Sequence, residues 1–185
     1  KELRRLIKES FYIASTGRPG PVLIDIPVDV SVAKHDDNEP ADMKLPGYRV
    51  QTKGHVRQIA MAAQAINQSE RPLLYVGGGI VSANAAEDMR ALAEKAHLPV
   101  TMTLLGLGTF DQNKAESLDM LGMHGTAYAN YAVQECDLLI AVGARFDDRV
   151  TGKIKTFAPN ARIIHIDIDP ASISKNVRVD IPVVG

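Results

Sequence analysis

Two arginines and two aspartates lie close together in one short segment, residues 143–152, which reads GARFDDRVTG. Arg145 and Arg149 each carry a guanidinium group with several N–H donors, which suits a phosphate or a carboxylate. Asp147 and Asp148 could instead cap the following segment and pair with the arginines in a solvated turn. The residue types indicate an anion-binding site, and the spacing alone leaves the solvated turn equally open.

The apolar run at 138–142, LLIAV, stands directly before this segment, between Asp137 and Gly143. Its length and flanking residues predict a strand that is buried on both faces of a parallel sheet. In open α/β sheets, ligands bind just beyond the carboxyl ends of the strands. We therefore expect the two arginines at an edge of the sheet where a ligand can bind.

A glycine triplet, Gly77-Gly78-Gly79, follows a second short apolar run, residues 73–76. Glycines between a strand and a helix let the backbone approach a pyrophosphate, whose charge then faces the exposed N–H groups of the helix. Triplets of this kind also form ordinary tight turns. The dinucleotide fingerprint needs a further glycine where this chain has Ser82 and an acidic residue where it has His97, so a standard NAD site is disfavoured.

Few other side chains could do chemistry at this edge. Asp167 could accept hydrogen bonds from ribose hydroxyls, or it could cap the turn before Pro170. His124 could act as a base, and a neutral ring bonded to a ligand or a carbonyl is the favoured interpretation. The histidines show no metal-ligand spacing, and no Ser/His or Cys/His pair indicates a nucleophile. The sequence predicts neither a metal site nor a catalytic group in this chain.

Strands and helices alternate over residues 52–185, with short connections. A helix is expected after Thr52 as N-cap, and others over 83–96 and about 126–135. Strands are expected at 73–76, 98–104, 138–142, 162–168 and 179–184. This alternation predicts the α/β class, with a parallel sheet and helices on both of its faces.

The N-terminal residues have a different character. Residues 1–16 have apolar positions at helical spacing, Gly17 would end that helix, and residues 22–26 predict a short buried strand. One helix and one strand cannot bury their own apolar faces, so we expect residues 1–30 to be the C-terminal end of a preceding domain. Residues 31–51, with few apolar positions, are expected to be a linker to the domain at 52–185.

Composition narrows the class of protein further. The chain has 185 residues, 45% of them hydrophobic, and a formal net charge of -1, which gives no reason to expect nucleic acid or an anionic membrane as partner. Its single cysteine, Cys136, excludes a disulfide framework and is expected to be a small buried hydrophobe in a reducing compartment, the cytoplasm. No apolar run is long enough for a membrane span. Both ends look like cuts in a longer polypeptide.

Four motifs occur in order along the chain: GRPGPVLIDIP at 17–27, LGMHGTAYAN at 121–130, VGARFDDRVTG at 142–152 and HIDIDP at 165–170. Together they resemble the catalytic subunit of the acetolactate synthase family, among the thiamine-diphosphate enzymes. The second and third motifs are specific to that family, and the first is shared more widely. The resemblance implies that residues 1–30 end a pyrimidine-binding domain and that the following domain is a six-stranded parallel middle domain that binds FAD.

The resemblance also implies which residues bind ligands. FAD contacts are implied for Arg18, Gly77, Gly78, Gly79, Thr103, Leu104, Leu121, Gly122, Met123, His124, Gly143, Ala144, Arg145, Asp147, Val150, Asp167 and Ile168. Arg149 is implied to recognise the second 2-keto acid, with Met123 and Asp148 in the same channel. Val28 departs from the pattern, because the family usually has a lysine there.

The family's catalytic groups fall outside this chain. Its activating glutamate would precede Lys1, and its GDG and paired-Asn motif for the diphosphate and magnesium would follow Gly185. We therefore expect the chain alone to be inactive. The implied parent enzyme decarboxylates pyruvate and condenses it with pyruvate or 2-ketobutyrate in branched-chain amino-acid biosynthesis.

The implied parent has FAD in a largely structural role, thiamine diphosphate and magnesium as cofactors, and a second catalytic subunit and a small regulatory subunit as partners. Two other interpretations are open. The chain could be the middle domain of another thiamine-diphosphate carboligase or decarboxylase, or a free-standing nucleotide-binding module.

Overall fold

The computed structural model describes residues 2–34 and 42–185. The chain divides into two compact units, Lys1–Thr52 and Lys53–Gly185. Within the described ranges, no helix has both the length and the apolar character needed to cross a membrane.

The N-terminal unit is built on helix α1 (Leu3–Ser15), as the helical spacing predicts. The helix ends because Thr16 is extended and Gly17 adopts a φ of +60°, a conformation that glycine tolerates best. Tyr48 packs edge-on against Tyr12 with a ring-centroid distance of 5.9 Å. Its hydroxyl lies 2.9 Å from the hydroxyl of Thr16, so the chain after the short helix α2 (Val28–Val32) returns to α1.

The strand expected at residues 22–26 is wrong. Residues 21–27 form no regular secondary structure, and the side chain of Leu23 is 93% exposed. A strand needs a neighbour to receive its hydrogen bonds, and the described residues of this unit supply none. The first two residues of the predicted linker, Ser31 and Val32, are helical, because α2 extends to Val32. Residues 35–41 of that expected linker lie outside the described residues.

The second unit alternates strands and helices. Its helices are α3 (Val56–Gln68), α4 (Gly79–Ser82), α5 (Ala86–Ala96), α6 (Ala127–Glu135) and α7 (Asp148–Thr151). Its strands are β1 (Pro72–Val76), β2 (Val100–Met102), β3 (Ser117–Met120), β4 (Leu138–Val142), β5 (Arg162–Asp167) and β6 (Ile181–Val184). Short 3-10 turns occur at Leu104–Gly106, Ile154–Thr156 and Pro170–Ser172.

Two helix boundaries differ from expectation. His55, not Thr52, caps α3, because its ring nitrogen Nδ1 accepts a hydrogen bond from the N–H of Arg57. The helix expected over 83–96 begins later, as α5 at Ala86, and the separate short helix α4 precedes it at Gly79–Ser82. Asn84, between the two helices, has a positive φ of 52°. Asparagine tolerates this left-handed conformation better than most residues, so the chain can turn there.

All six strands run parallel, in the order β3-β2-β1-β4-β5-β6. The chain therefore moves outward from β1 through β2 to β3, returns to β4 on the other side of β1, and moves outward again. This reversal makes a topological switch point between β1 and β4, where open α/β sheets bind ligands. The α/β prediction is confirmed, and the loop after β4 that carries the arginines lies at that switch point.

Alternate residues of each central strand enter two separate apolar layers. On β1, Leu74 and Val76 pack with α3 and α5, whereas Leu73 and Tyr75 pack with α6 and the residues after β4. On β4, Ile140 joins the first layer and Ala141 the second. Burial on both faces explains why these strands are continuous apolar runs in the sequence.

Candidate functional site

The loops after β1 and β4 cross each other backbone to backbone. The N–H of Gly77 donates to the carbonyl of Val142 at 2.9 Å, and the N–H of Gly79 donates to the carbonyl of Gly143 at 3.0 Å. A Cβ at Gly77 would lie 2.1 Å from the Gly143 carbonyl oxygen, and one at Gly79 would lie 2.6 Å from the Gly143 Cα. Three glycines are therefore required here by close approach of the main chains.

This crossing changes which backbone groups can bind an anion. The N–H groups of Gly77 and Gly79 are already used, whereas those of Gly78, Ala144 and Arg145 have no backbone acceptor in the described chain. The carboxyl edge at the switch point thus offers unpaired N–H groups beside an arginine. Such a group of donors suits a phosphate or diphosphate.

Phe146 turns the chain between Arg145 and Asp147. Its φ is +53°, which is rare for an aromatic residue, and its side chain is fully buried. The ring of Phe146 packs edge-on against Tyr75, Phe157 and His165. The backbone carbonyl of Phe146 accepts a 2.8 Å hydrogen bond from the side chain of Asn176. The surrounding aromatic packing holds this strained turn, as is common next to functional sites.

The charged groups on either side of Phe146 form a loose ion pair without a hydrogen bond. Nε of Arg145 lies 3.6 Å from a carboxylate oxygen of Asp147, beyond hydrogen-bond range. The other oxygen of Asp147, Oδ1, is buried without a hydrogen-bond partner in the described chain. Burial, followed by the negative charge of Asp147, raises the pKa of Tyr75 far above its ordinary value, so that the Tyr75 hydroxyl stays neutral.

The loop 121–125 packs against the main chain of α7. The N–H of Met123 donates a 2.8 Å hydrogen bond to the carbonyl oxygen of Arg149. A Cβ at Gly122 would lie 2.5 Å from that same oxygen, so only glycine fits. Sequence elements far apart along the chain thus bring Met123, Asp148 and Arg149 together.

These three residues line a groove of about 590 Å³ between α6 and α7. Asn130, Tyr131 and Gln134 of α6 form its other wall. The Arg149 side chain is 70% exposed, and its nearest acidic contact is Asp148 at 4.0 Å. The guanidinium of Arg149 can therefore bind a carboxylate in this groove, whereas Arg145 and the glycine triplet do not line it.

Asp167 caps its own turn. One carboxylate oxygen accepts a 2.9 Å hydrogen bond from the N–H of Asp169, which is the capping alternative drawn from the sequence. The other oxygen lies 3.6 Å from Nε2 of His165. His165 is fully buried and neither ring nitrogen has a hydrogen-bond partner in the described residues. The Asp167 side chain is only 12% exposed, and this second oxygen accepts no hydrogen bond from the described residues.

The remaining predicted residues differ in position and exposure. Thr103 donates its N–H to the carbonyl of Val76, which brings the exposed side chains of Leu104 and Leu105 beside the glycine triplet. His124 is exposed and makes no side-chain hydrogen bond in the part of the chain described. Arg18 belongs to the N-terminal unit. Leu121 is buried, and Val150 and Ile168 are half-buried.

Sequence reasoning missed Asn130, Phe146, His165 and Asn176. Each acts through a partner that is distant in the sequence, as in the hydrogen bonds between Asn130 and Gly122 and between Asn176 and Phe146. The short motifs contain no spacing that indicates such pairs. A positive φ at an aromatic residue likewise has no signature in composition or periodicity.

The fold and the site together define a class: a doubly wound α/β domain whose loops form a ligand-binding edge at the switch point. Residues 59–185 match the family model for the thiamine pyrophosphate enzyme, central domain. The chain belongs to this family.

Relatives that match the whole length of this chain include acetolactate synthase large subunits. The chain is 55% identical to that of Parasynechococcus marenigrum, 53% identical to a probable one of Methanocaldococcus jannaschii and 51% identical to that of Corynebacterium glutamicum. These matches cover 100% of the chain and 30%, 32% and 29% of the respective relatives, so the chain spans about a third of their length. These matches confirm the resemblance to the acetolactate synthase family that the four sequence motifs indicate.

Proposed function

We propose that this chain is the FAD-binding part of an acetolactate synthase large subunit. The full-length enzyme would decarboxylate pyruvate and condense it with pyruvate or 2-ketobutyrate, in the synthesis of valine, leucine and isoleucine. One observation carries the proposal beyond the family: Arg149 opens onto a groove with Met123 and Asp148, apart from Arg145 at the glycine crossing. Two arginines on one loop can thereby serve two different anions.

The residues at the switch point fit FAD. The diphosphate would be held by the unpaired N–H groups of Gly78, Ala144 and Arg145 and by the Arg145 guanidinium. Leu104 and Leu105, 71% and 75% exposed, offer apolar surface to a flat ring system at the same edge. The free carboxylate oxygen of Asp167 suits a ribose hydroxyl. FAD would have a largely structural role, and its redox chemistry is not required for condensation of two keto acids.

Arg149 would select the second keto acid. A guanidinium binds a carboxylate through two parallel hydrogen bonds, which orients the acid as well as holding it. Met123, 63% exposed in the same groove, would contact the alkyl part of the acid. The main chain of Arg149 is fixed by the Met123 N–H, so the guanidinium starts from a defined position. This division gives the chain a role in substrate choice and none in decarboxylation itself.

The rest of the proposal concerns the parent protein. Thiamine diphosphate and magnesium would supply the decarboxylation chemistry from outside this chain. A second catalytic subunit, a small regulatory subunit and a cytoplasmic location complete the proposal. The family membership of the chain and its similarity to acetolactate synthase large subunits support it.

Flavin titration tests the assignment. The fluorescence of FAD should be quenched on binding to the 185-residue chain and to the full-length protein, and the quenching should saturate. NAD should bind to neither protein. We expect weaker binding by the chain alone, because a large ligand gains affinity from burial by several walls. The full-length protein should form acetolactate from pyruvate, and the chain alone should not. Absence of FAD binding by both proteins, or of acetolactate formation by the full-length protein, would contradict the proposal.

A further inference from the structure

The side-chain amide of Asn130 binds both hydrogen-bonding groups of Gly122. Its Oδ1 accepts from the Gly122 N–H at 2.9 Å, and its Nδ2 donates to the Gly122 carbonyl at 3.0 Å. A flipped amide would place donor against donor and acceptor against acceptor, so this pairing fixes the amide orientation. We call these two hydrogen bonds the Asn130 clamp.

The clamped glycine lies directly against Arg149. A Cβ at Gly122 would come within 2.5 Å of the Arg149 carbonyl oxygen, and the next N–H along the chain, that of Met123, donates to this oxygen at 2.8 Å. The peptide between Gly122 and Met123 therefore lies between the Asn130 side chain on one side and the Arg149 main chain on the other. A displacement of this peptide displaces Arg149.

The neighbours of Arg149 in helix α7 are held by hydrogen bonds from Val150 and Thr151 to the Asp147 carbonyl, whereas the carbonyl of Arg149 itself is held by the Met123 N–H. It is a single turn, Asp148–Thr151, and it ends at Gly152 with a φ of +54°. The exposed guanidinium has its nearest acidic group, that of Asp148, at 4.0 Å, too far for a hydrogen bond. The position of the Arg149 guanidinium therefore depends on the position of the Arg149 main chain.

We propose that Asn130 is a positioning residue for Arg149 and, through it, a determinant of which 2-keto acid is accepted second. The assignment of acceptor selection to Arg149 rests on the proposed function. Asn130 itself touches no reacting atom in this role. It transmits the position of α6 to α7 through the Gly122–Met123 peptide.

Three variants test the Asn130 clamp. Asn130→Asp keeps the shape of the side chain but turns a carboxylate oxygen toward the Gly122 carbonyl, and Asn130→Ala removes both bonds without adding charge. Thr126→Val is the matched control on the same helix, because it loses the N-cap bond to the Ala129 N–H and the bond to the Leu118 carbonyl while leaving Gly122 untouched. If Asn130→Asp does not fold, Asn130→Ala carries the same test.

Hydrogen exchange in the full-length protein gives a readout that does not depend on activity. Both Asn130 variants should exchange faster at residues 121–124 and at 148–152 together. Thr126→Val should exchange faster only in the first turn of α6. Unchanged exchange at 148–152 in the Asn130 variants, or equal acceleration there in Thr126→Val, would overturn the proposal.

Competition between pyruvate and 2-ketobutyrate as acceptors gives the second readout. Loss of two neutral hydrogen bonds that act indirectly should shift the product ratio about three- to tenfold in the Asn130 variants. Thr126→Val should keep the wild-type ratio. If Arg149→Lys alters the ratio and the Asn130 variants do not, the positioning role is wrong and the proposed function stands. If Arg149→Lys also leaves the product ratio unchanged, the proposed role of Arg149 is wrong, and with it the role of Asn130 in acceptor choice. Hydrogen exchange then tests only whether the Asn130 clamp positions Arg149.

Discussion

The N–H of Gly79 donates a 3.0 Å hydrogen bond to the carbonyl oxygen of Gly143, and the two Cα atoms leave no room for a side chain between them. A Cβ on Gly143 would lie 2.6 Å from the Cα of Gly79. The loop with the glycine triplet and the loop with both arginines are therefore joined just beyond the ends of β1 and β4. A ligand that binds at the Arg145 end of the arginine loop therefore also meets the glycine triplet, whereas the groove at Arg149 lies apart from it.

Gly143→Ala should destabilise the fold strongly. The substitution combines a φ of +58° with contacts of 2.6–2.9 Å to main-chain atoms that cannot move aside. We expect a loss of about 3 kcal/mol or more in the free energy of unfolding, measured by urea denaturation.

Gly108→Ala is the matched control for that substitution. Gly108 also has a positive φ, +86°, but nothing lies within 4 Å of its absent Cβ. Its replacement should therefore cost only the backbone strain, about 1 kcal/mol. Equal losses for the two variants would show that the close approach at the crossing contributes nothing.

The sequence predicts much of the sheet and only part of the site. The five apolar residues of β4 between Asp137 and Gly143 mark a central strand, because burial on both faces demands such a run. Strand β3, Ser117–Met120, was missed because it is an edge strand of mixed polarity, half-buried along its length. The strand expected at 22–26 is wrong because an apolar run cannot show whether a pairing partner is present.

The glycine triplet illustrates the same limit at the site. The triplet follows a strand, as expected, and that strand is one of the two at the switch point, where the close main-chain approach occurs. The sequence could not show that the N–H groups of Gly77 and Gly79 donate hydrogen bonds to the carbonyls of Val142 and Gly143. That pairing depends on the order of strands in the sheet, which is a property of the whole domain.

Asp137 should stabilise the fold by an amount that depends on pH. Its carboxylate accepts hydrogen bonds from the Ser69 hydroxyl and from the N–H groups of Glu70 and Arg71 at 2.8 and 3.0 Å. Partial burial opposes the charge, but the Ser69 bond and then the two backbone bonds outweigh it and hold the pKa of Asp137 below its ordinary value. A lowered folded-state pKa means that the stabilisation is present above the unfolded-state pKa and is lost as the pH falls through the folded-state pKa.

Asp137→Asn should therefore lower the free energy of unfolding by about 1–3 kcal/mol near neutral pH, and by less as the pH falls below about 4. Urea denaturation of both proteins over this pH range measures the difference. A difference that stays constant throughout would show that the charge on Asp137 does not contribute.

Cys136 should be unreactive in the folded protein. Burial, and then the neighbouring Asp137 carboxylate, raise the pKa of the thiol to about 12, and the side chain is only 2% exposed. Because the thiolate is the reactive form, an alkylating reagent near pH 8 should label the native chain very slowly. Labelling should become complete in urea. Rapid labelling without denaturant would contradict the buried position of this thiol.

The two arginines on the loop after β4 test the central claim most directly. In the full-length protein, Arg149→Lys should impair the choice between pyruvate and 2-ketobutyrate and leave FAD content nearly unchanged. Lysine cannot reproduce the two parallel hydrogen bonds of a guanidinium to a carboxylate. Loss of such a charge-assisted contact should cost about 1.5–3 kcal/mol, roughly a 10- to 150-fold change in the rate constant or affinity for the acceptor. Arg145→Lys should do the reverse and lose FAD with little change in product ratio.

The decisive measurement is the flavin occupancy and the product ratio of these two variants, side by side with the wild-type enzyme. The proposed function predicts that Arg149→Lys keeps its flavin and shifts the ratio, whereas Arg145→Lys loses flavin and keeps the ratio. If Arg149→Lys loses FAD and retains the wild-type product ratio, the assignment of the two arginines is wrong.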